Sequence, residues 1–391
     1  MRVVIVGGGA VGSSVALFLK RLGGAAVEVH LVEPDPGLAQ ASSALSAGSI
    51  RQQFSTPLNV RMSQFGQQVL ADAQPWLGVD DTPVDLGYVG SGYLFLADEA
   101  GAPVLRAKHA VQRALDVPVA LLSPAELAQR FAWLNCDDLA LASLGLAGEG
   151  WFDGYALARA LSAKARALGA IAQKARVVGF ERSADRLSAA RLADGRRLEA
   201  DAFVNAAGPW ARGVAQLADI ALPVFARRRT VFNFSCPTPL PGPTPLVIDT
   251  SGVWFRSEGP HFIGAWTPGA EDDDPDDLPL DQPDLAQFDE RLWPALAQRV
   301  PAFEALRLRH AWAGYYEVHA LDHNAIIGPH PSLANLVFAN GFSGHGLQHA
   351  PAAGRGIAEW LLLGRYDSLD LGPLGWQRVL DRKPFAEQAV I

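Results

Sequence analysis

Cysteine is nearly absent from this sequence, and charged residues are few. The two cysteines among the 391 residues, Cys136 and Cys236, lie far apart and form neither a CxxC pair nor the spacing of zinc ligands. This argues against a disulfide-stabilised scaffold and is typical of a reducing compartment. Charged residues make up 19% of the chain and hydrophobic residues 49%, which argues against a disordered protein.

The sequence also has fewer basic than acidic residues, and it has no long apolar run. Lys and Arg number 33 against 41 Asp and Glu, which gives a formal net charge of −8. Nucleic-acid binding requires a concentrated basic surface, and the run Arg227–Arg229 is too short to provide one. No run reaches the roughly 18 apolar residues of a membrane span. The run Val3–Val6 starts too early to be a signal-peptide core. We therefore expect a cytoplasmic protein with no nucleic-acid partner and no membrane span.

The first 33 residues follow a strand, glycine loop, helix and strand pattern. The uninterrupted β-branched run Arg2–Val6 predicts a parallel strand that is buried on both faces. Apolar spacing in Ser13–Leu22 predicts a helix. The run Val27–Val32 predicts a second strand, which ends at Glu33.

Glycines with GxGxxG spacing join the first strand to the helix. Gly7 allows the tight turn, Gly9 lets a pyrophosphate approach the backbone, and Gly12 lets the helix pack closely on the strand. The helix N-terminus then offers free N–H groups to phosphates. Glu33 stands where a carboxylate accepts hydrogen bonds from a ribose diol. The motif predicts a dinucleotide site, either NAD or FAD. The alternative is a glycine-rich turn without a ligand.

A second glycine loop follows a strand near the end of the chain. The run Leu336–Asn340 predicts a strand, Gly341–Gly346 forms the loop, and a helix is predicted over Ala352–Leu363. This provides a second positive helix end, which a single NAD domain does not need. A flavin does need one, because the reduced ring carries negative charge at its N1–C2=O edge. The second loop therefore favours FAD.

With both loops present, the sequence resembles the D-amino acid oxidase-like FAD-dependent oxidoreductases. That family includes sarcosine oxidases, dimethylglycine dehydrogenase, glycine oxidase and D-amino acid dehydrogenases. The resemblance covers nearly the whole chain and is carried by Gly7–Gly12 with Glu33, Ala41–Ser43, Ser46–Arg51, Val204–Trp210, Ile326–Gly328 and Gly341–Gly346. The stretches Leu45–Phe54 and Arg382–Phe385 are most similar to the branch of the sarcosine oxidase β-subunit and the FAD-dependent oxidoreductase domain proteins.

The resemblance implies an α/β fold, in which a doubly wound Rossmann-like FAD-binding domain is interleaved with an antiparallel-sheet substrate domain. The FAD-binding domain is expected at 1–82, 147–217 and 320–391, and the substrate domain at 83–146 and 218–319. Residues with the β-branched and aromatic content of the substrate sheet lie in Tyr88–Leu96, Val224–Phe234, Gly252–Arg256 and His261–Trp266. The acidic run Glu271–Asp277 predicts a solvated loop. A calcium site is the alternative, although the run lacks the EF-hand pattern. We expect no metal.

Motif positions imply which residues contact FAD. The pyrophosphate, the adenosine half and the flavin ring would be met by Gly7, Gly9, Ala10, Val11, Gly12, Glu33, Ser42, Ser43, Ser46, Ala47, Gly48, Val177, Ala207 and Gly208. The N1–C2=O edge would be capped by Gly344, His345, Gly346 and Leu347. Simple turn chemistry is the alternative for the small residues. Some relatives attach the flavin covalently through a His or a Cys. Leu45 and Gly314 occupy those places here, so we expect non-covalent FAD.

The same resemblance implies oxidation of a carbon next to nitrogen, with hydride transfer to flavin N5 and hydrolysis of the imine. Arg51 is the candidate partner of a substrate carboxylate, with Gln52 and Gln53 as alternatives. Gln348 stands where some relatives use a lysine for that carboxylate.

Other candidates for the substrate site are aromatic or titratable. Tyr315 and Tyr316 would orient the substrate, or else simply pack. His345 and His319 could each carry a proton near neutral pH. Arg256 and His261 are weaker candidates. Phe262 is aligned with the oxygen-activating lysine of monomeric sarcosine oxidase, which favours a dehydrogenase over an oxidase.

Three functions remain open from the sequence. The first is an FAD enzyme that oxidises a secondary or D-amino acid, with a small amine or amino acid as substrate and a possible electron-acceptor protein. The second is a flavoprotein subunit of a heteromeric amine or opine oxidase, which needs partner subunits. The third is a non-catalytic assembly factor that binds FAD.

Overall fold

The computed structural model describes residues 1–269 and 278–387. The acidic run predicted as a solvated loop, Glu271–Asp277, lies outside the described residues. The strands are β1 (Arg2–Val6), β2 (Glu28–Glu33), β3 (Ser49–Ile50), β4 (Tyr93–Ala97), β5 (Val119–Leu122), β6 (Leu141–Gly145), β7 (Gly150–Trp151), β8 (Ile171–Lys174), β9 (Val177–Ser183), β10 (Arg186–Leu192), β11 (Arg197–Glu199), β12 (Ala202–Asn205), β13 (Val224–Ser235), β14 (Leu246–Ile248), β15 (Val253–Glu258), β16 (His261–Trp266), β17 (Arg307–His319), β18 (Ile326–His330) and β19 (Leu333–Asn340).

The helices are mostly short. They are α1 (Ala10–Gly23), α2 (Ser42–Leu45), α3 (Pro57–Ala71), α4 (Ala73–Leu77), α5 (Ala102–Arg113), α6 (Pro124–Arg130), α7 (Gly154–Ala167), α8 (Ala211–Gln216), α9 (Trp293–Arg299), α10 (Gly346–Leu363) and α11 (Gln377–Leu380). Within the described ranges, no helix combines the length and the hydropathy needed to cross a bilayer.

A six-stranded sheet has the order β18-β19-β12-β1-β2-β8. Its strands are parallel except for β18, which runs antiparallel to β19. Side chains alternate between the two faces of β1, so Val3 and Ile5 pack with α1, α7 and α10, while Val4 and Val6 pack with β9, β10 and α8. Both faces are covered, which explains why the strand is apolar throughout. The predicted doubly wound half of the fold is confirmed.

An eight-stranded sheet has the order β17-β13-β16-β15-β14-β4-β6-β5. It is antiparallel apart from the β14–β4 pair. The strands of this sheet come from the two segments predicted for the substrate domain. The strands of the six-stranded sheet come from the three segments predicted for the FAD-binding domain. The residue limits given for the two domains stay a prediction.

Two element boundaries show the largest differences from the sequence analysis. Strand β4 begins at Tyr93 rather than Tyr88, because Gly92 has a φ of +79° and interrupts the extended run. Helix α10 begins at Gly346, well before Ala352, and contains Pro351 in its interior. Proline usually marks the first turn of a helix, which is why the earlier start was missed.

Candidate functional site

The early glycine loop turns tightly between β1 and α1. Gly7 has a φ of +107°, which an L side chain rarely adopts, and a Cβ atom there would overlap the carbonyl oxygen of Ala206. A Cβ atom at Gly12 would overlap the carbonyl oxygen of Gly7, so α1 packs directly on the loop. Gly9 is less crowded, since its Cβ position lies 3.3 Å from Ser43 Oγ. The roles predicted for Gly7 and Gly12 in the turn and in helix packing are confirmed.

Glu33 lies at the end of β2 and is tied to the early loop. Its Oε2 accepts the N–H of Gly8 at 2.8 Å, and its Oε1 accepts the N–H of Asp35 at 2.9 Å. Burial raises the pKa of Glu33, while these two backbone N–H groups act in the opposite direction. The carboxylate is therefore fixed beside the backbone of the glycine loop.

Two serines of α2 connect the early loop to the other sheet. Ser43 Oγ accepts the N–H of Ala10, the first residue of α1, at 3.0 Å. Ser42 Oγ donates to the carbonyl oxygen of Tyr315 at 2.7 Å. The two hydroxyl groups thus hold α2 between the six-stranded and the eight-stranded sheet.

The late glycine loop joins β19 to α10 and packs against β17. Gly344 has a φ of +95°, and a Cβ atom there would lie 2.7 Å from the ring of Tyr316. The N–H of Ser343 donates to the carbonyl oxygen of Glu317 at 3.0 Å. The N–H of His319 donates to Ser343 Oγ at 3.1 Å. Because these contacts fix the loop, the N-terminus of α10 points in a defined direction.

Both glycine loops line one cavity of about 1090 Å³. This volume exceeds the upper range for a drug-sized ligand and suits an elongated dinucleotide. The predicted site residues that line it are Gly7, Gly9, Ala10, Val11, Glu33, Ser42, Ser43, Ser46, Ala47, Arg51, Val177, Ala207, Gly208, Tyr315, Tyr316, Gly344, His345, Gly346, Leu347 and Gln348.

Two of the residues predicted to contact FAD, Gly12 and Gly48, are not among the described residues that line the cavity. Gly12 lies behind the early loop, where it allows α1 to approach Gly7. Gly48 has a Cβ position that overlaps the carbonyl oxygen of Phe152, so its glycine is needed for close backbone packing. Both residues shape the cavity without facing it.

Arg51 lines the cavity and is surrounded by aromatic rings. Its guanidinium carbon lies 4.6 Å from the ring centroid of Phe54, 5.8 Å from that of Tyr93 and 5.9 Å from that of Phe95. Only 5% of the residue is exposed. Attraction to the ring faces holds the cation at the wall although water is excluded.

Tyr315 and Tyr316 point to opposite faces of β17. The Tyr315 hydroxyl donates to the carbonyl oxygen of Leu278 at 2.6 Å, and its ring packs edge-on against Trp210 at 6.2 Å. Tyr316 packs against the late loop, with the guanidinium of Arg229 5.4 Å from its ring centroid. Burial raises the pKa of the Tyr316 hydroxyl, so it is neutral near pH 7. Tyr315 has a packing role in addition to its place at the cavity.

His345 is buried and holds no charge at neutral pH. Its Nδ1 forms a hydrogen bond with the carbonyl oxygen of Phe342, so Nδ1 carries the proton and Nε2 is left as an acceptor. Its ring stacks on that of His349 at 5.7 Å. Burial, together with the neighbouring His349 and Arg51, lowers the pKa of His345 well below its usual value. His345 therefore does not gain a second proton near neutral pH, so the expectation that it titrates there is wrong.

Gln348 contacts the backbone of Arg51. Its Oε1 accepts the N–H of Arg51 at 2.8 Å and the hydroxyl of Ser63 at 3.2 Å. The side chain is 3% exposed. Its oxygen is therefore used to hold Arg51, which differs from the direct carboxylate contact made by the lysine of some relatives.

Comparisons with known proteins agree with this arrangement. A family model described as FAD dependent oxidoreductase matches residues 2–360. The chain belongs to this family. It is 41% identical over 411 residues to "FAD-dependent oxidoreductase domain-containing protein 1" of Bos taurus, across 96% of this chain and 84% of that protein. The resemblance to D-amino acid oxidase-like flavoproteins is confirmed.

Two solved structures have a similar fold. The L-proline dehydrogenase from P. horikoshii has a TM-score of 0.85 at 24% identity and covers 97% of this chain and 98% of its own. The glycine oxidase from Geobacillus kaustophilus has a TM-score of 0.79 at 24% identity, with 96% and 98% covered. At this level of identity, the two structures establish the fold alone.

The residues of this FAD-dependent oxidoreductase fit the cofactor. The early loop is a backbone cradle that side chains would fill, and the N-terminus of α1 lines the same cavity through Ala10 and Val11, where it would hold the pyrophosphate. Glu33 and Val177 also line the cavity, where they would contact the ribose diol and the adenine. The N-terminus of α10 provides a positive end for the N1–C2=O edge of the flavin.

Several weaker candidates lie elsewhere. Arg256 donates to the carbonyl oxygen of Ala47 at 2.7 Å and holds the turn behind the cavity. His319 is fully buried against Asp322 at 2.8 Å. Phe262 stacks on Phe234 within the hydrophobic core and does not line the cavity, so its side chain takes no place beside the flavin site. Arg256, His261, Phe262 and His319 are not among the residues that line the cavity.

Two buried carboxylates near the site were missed from the sequence. Glu317 lines the cavity next to the late loop, where burial raises its pKa to about 7 against the N–H groups of Gly341 and Phe342. Glu149 is fully buried behind Arg51, and burial raises its pKa to about 7 as well. Neither lies in a motif, and only the strand register and the chain path bring them to this place. Among the described residues, no group of three or more His, Cys, Asp or Glu could hold a metal ion.

Proposed function

We propose that this family member oxidises the C–N bond of a secondary or D-amino acid. The observation that carries the proposal is the position of Arg51, a buried cation at the wall of the cavity that both glycine loops line. The names of the similar structures, an L-proline dehydrogenase and a glycine oxidase, support an amino acid as the substrate class. The product imine is then hydrolysed by water.

When bound, FAD supplies the ring that accepts a hydride from the carbon next to nitrogen. The protein's task is then to position the substrate. The planar guanidinium of Arg51 matches the two oxygens of a carboxylate and binds it in a fixed orientation. The positive charges of Arg51 and Arg229 at the same cavity disfavour an ammonium and so favour the neutral amine that the reaction requires.

The experiment is anaerobic reduction of the purified holoprotein by a panel of amino acids. The panel contains sarcosine, N,N-dimethylglycine, glycine, L-proline and pairs of D- and L-amino acids, and the readout is loss of the visible flavin absorbance. We expect at least one member to bleach the flavin. In Arg51→Ala, the concentration needed for half-maximal bleaching rises by about 10- to 100-fold, since a charge-assisted pair is lost.

Arg355 provides a matched control. It lies on α10 with its guanidinium 5.4 Å from the ring centroid of Phe65, and it is not among the residues that line the cavity. Arg355→Ala should bleach as the wild type does. A panel without any bleaching would contradict the proposal and favour the non-catalytic alternative. Co-purification of other chains on size exclusion would favour the heteromeric subunit.

A further inference from the structure

The segment that carries Arg51 is buried but has no regular structure. It runs from residue 51 to residue 56, between β3 and α3, and we call it the arginine segment. Its residues are between 0% and 8% exposed apart from Ser55, which is half-buried. Backbone N–H groups in a buried irregular stretch need acceptors from elsewhere in the fold. Their acceptors therefore determine where Arg51 sits.

Glu149 binds the first part of the arginine segment. Its Oε1 accepts the N–H of Gln52 at 2.6 Å and the N–H of Gln53 at 3.1 Å. Its Oε2 accepts the side-chain amide of Gln53 at 2.9 Å. Glu149 lies in the turn between β6 and β7 and is 0% exposed. A carboxylate in such a place is costly unless each oxygen is hydrogen-bonded, as both are here.

Glu387 binds the second part of the arginine segment. Its Oε1 accepts the N–H of Ser55 at 2.8 Å, and its Oε2 accepts the N–H of Thr56 at 3.2 Å. The hydroxyls of Ser55 and Thr56 donate to the same two oxygens, at 2.6 and 3.0 Å. Asn59 Nδ2 adds a further bond at 3.0 Å. A carboxylate from the C-terminal tail thus holds the entry to α3.

The tail that carries Glu387 is itself fixed to the fold. The N–H of Phe385 donates to Asp322 Oδ2 at 2.9 Å, and Asn324 Nδ2 donates to the carbonyl oxygen of Phe385 at 2.5 Å. Arg378 binds the same Asp322 through its Nε at 2.8 Å. Glu387 is therefore presented at a defined position, although it lies 331 residues after Thr56.

We propose that Glu149 and Glu387 are positioning residues that fix Arg51 at the cavity wall through the backbone of the arginine segment. Two carboxylates from distant parts of the chain bind four of its N–H groups, and Gln348 binds that of Arg51 itself. A rigid backbone keeps the guanidinium in place before the ligand arrives, which lowers the cost of binding a carboxylate. The inference rests on the proposed function of Arg51 as the carboxylate partner.

The test uses anthranilate as a carboxylate probe, titrated into the holoprotein and followed by the change in the flavin spectrum. Variants are Arg51→Ala, Glu387→Gln, Glu149→Ala and the double variant Arg51→Ala with Glu387→Gln. In Glu387→Gln one acceptor oxygen becomes an amide that faces donors, so the second part of the segment is released. We expect about 5- to 20-fold weaker anthranilate binding in Glu387→Gln, with FAD still bound.

Glu359 provides a matched control far from the arginine segment. It is 3% exposed and its Oε2 accepts the N–H groups of Asp367 and Ser368, each at 2.9 Å. It thus resembles Glu387 in burial and in backbone bonds but touches no residue of the segment. Glu359→Gln should bind anthranilate within about twofold of the wild type, whatever its effect on stability.

The double variant separates positioning from a general loss of structure. If Glu387 acts through Arg51, Glu387→Gln has no further effect on anthranilate binding once Arg51 is removed. An equal loss in the presence and absence of Arg51 would overturn the positioning role. Unchanged binding in both Glu387→Gln and Glu149→Ala would overturn it too.

Failure of the proposed function gives a different result. In that case Arg51→Ala itself binds anthranilate as the wild type does. If Glu387→Gln does not fold, Glu149→Ala serves as the second variant, because it removes the acceptor of the Gln52 and Gln53 N–H groups. We expect a loss of about 5- to 20-fold there, whereas Glu149→Gln, whose amide oxygen keeps both backbone bonds, should restore binding to within about two- to fivefold of the wild type. An unchanged affinity in Glu149→Ala would contradict the proposal.

Discussion

Gly314 lies directly against Leu45, since a Cβ atom at Gly314 would be 3.1 Å from the Cβ atom of Leu45. Both residues line the cavity. By the family resemblance, these are the two places at which some relatives attach the flavin through a His or a Cys. The fold thus brings both attachment points together, and neither side chain has an atom that can form the bond.

Non-covalent binding of FAD is the first prediction. Acid precipitation of the holoprotein should leave a yellow supernatant and a colourless pellet, because unfolding removes every contact that holds the cofactor. Absorbance of the two fractions is the measurement. Flavin that stays with the precipitated protein would contradict the prediction.

Substitution of Gly12 and of Gly9 should have different consequences. Gly12→Ala places a Cβ atom on the backbone of Gly7, which cannot move away, so we expect a loss of stability of about 2 kcal/mol or more with and without FAD. Gly9→Ala meets only Ser43 Oγ at 3.3 Å, so the protein should fold normally. Its new methyl group faces the cavity and should weaken FAD binding about tenfold or more. Thermal unfolding and FAD titration of the apoprotein separate the two effects.

Stability should depend on pH through Glu149. Its pKa is raised from 4.5 to about 7 in the folded protein, so the folded state binds more protons than the unfolded state between these values. This contribution is full below about pH 4.5 and is lost as the pH rises through about 7, with a total of about 3 kcal/mol. Glu149→Gln does not titrate, so the stability of the wild type relative to this variant should fall over that range.

Urea unfolding of the wild type and Glu149→Gln at several pH values measures this difference in stability.

Glu359 should show the opposite dependence of stability on pH. Its burial is outweighed by hydrogen bonds from Ser368, Asp367 and Arg355, so its pKa is lowered and its contribution is lost as the pH falls. Parallel pH profiles for the wild type and Glu149→Gln would contradict the prediction.

Slow reaction of the reduced flavin with oxygen is a further prediction. Among the described residues that line the cavity there is no lysine, and β16 contributes Ala265 and Trp266 to its wall. An ammonium beside the flavin would stabilise superoxide as it forms. Without one, reoxidation in air-saturated buffer should be slow compared with reoxidation by an artificial dye acceptor, as stopped-flow absorbance can show. Rapid formation of hydrogen peroxide would contradict this.

Local patterns in the sequence predict the cofactor half of the site well. The strand β1, the turn at Gly7, the helix α1 and the position of Glu33 all follow from residues that are close in sequence, because periodicity and glycine spacing act locally. The late loop Gly341–Gly346 was predicted for the same reason. Substrate-side residues were harder to predict, since their roles depend on which face of a strand each side chain occupies. Phe262 packs in the core rather than at the cavity, because its side chain lies on the face of β16 that is covered. The pKa of His345 is lowered by burial, which its sequence neighbours do not reveal.

The sequence by itself predicted a dinucleotide site after the first strand and a second helix end suited to a flavin. Only the tertiary structure decided what surrounds Arg51. Glu149 and Glu387 lie about 100 and more than 300 residues from the arginine segment, and no pattern in the chain connects them to it. The physical reason is that a buried irregular backbone takes its hydrogen-bond acceptors from whatever the folded chain brings near, and sheet order and tail docking decide which carboxylates those are.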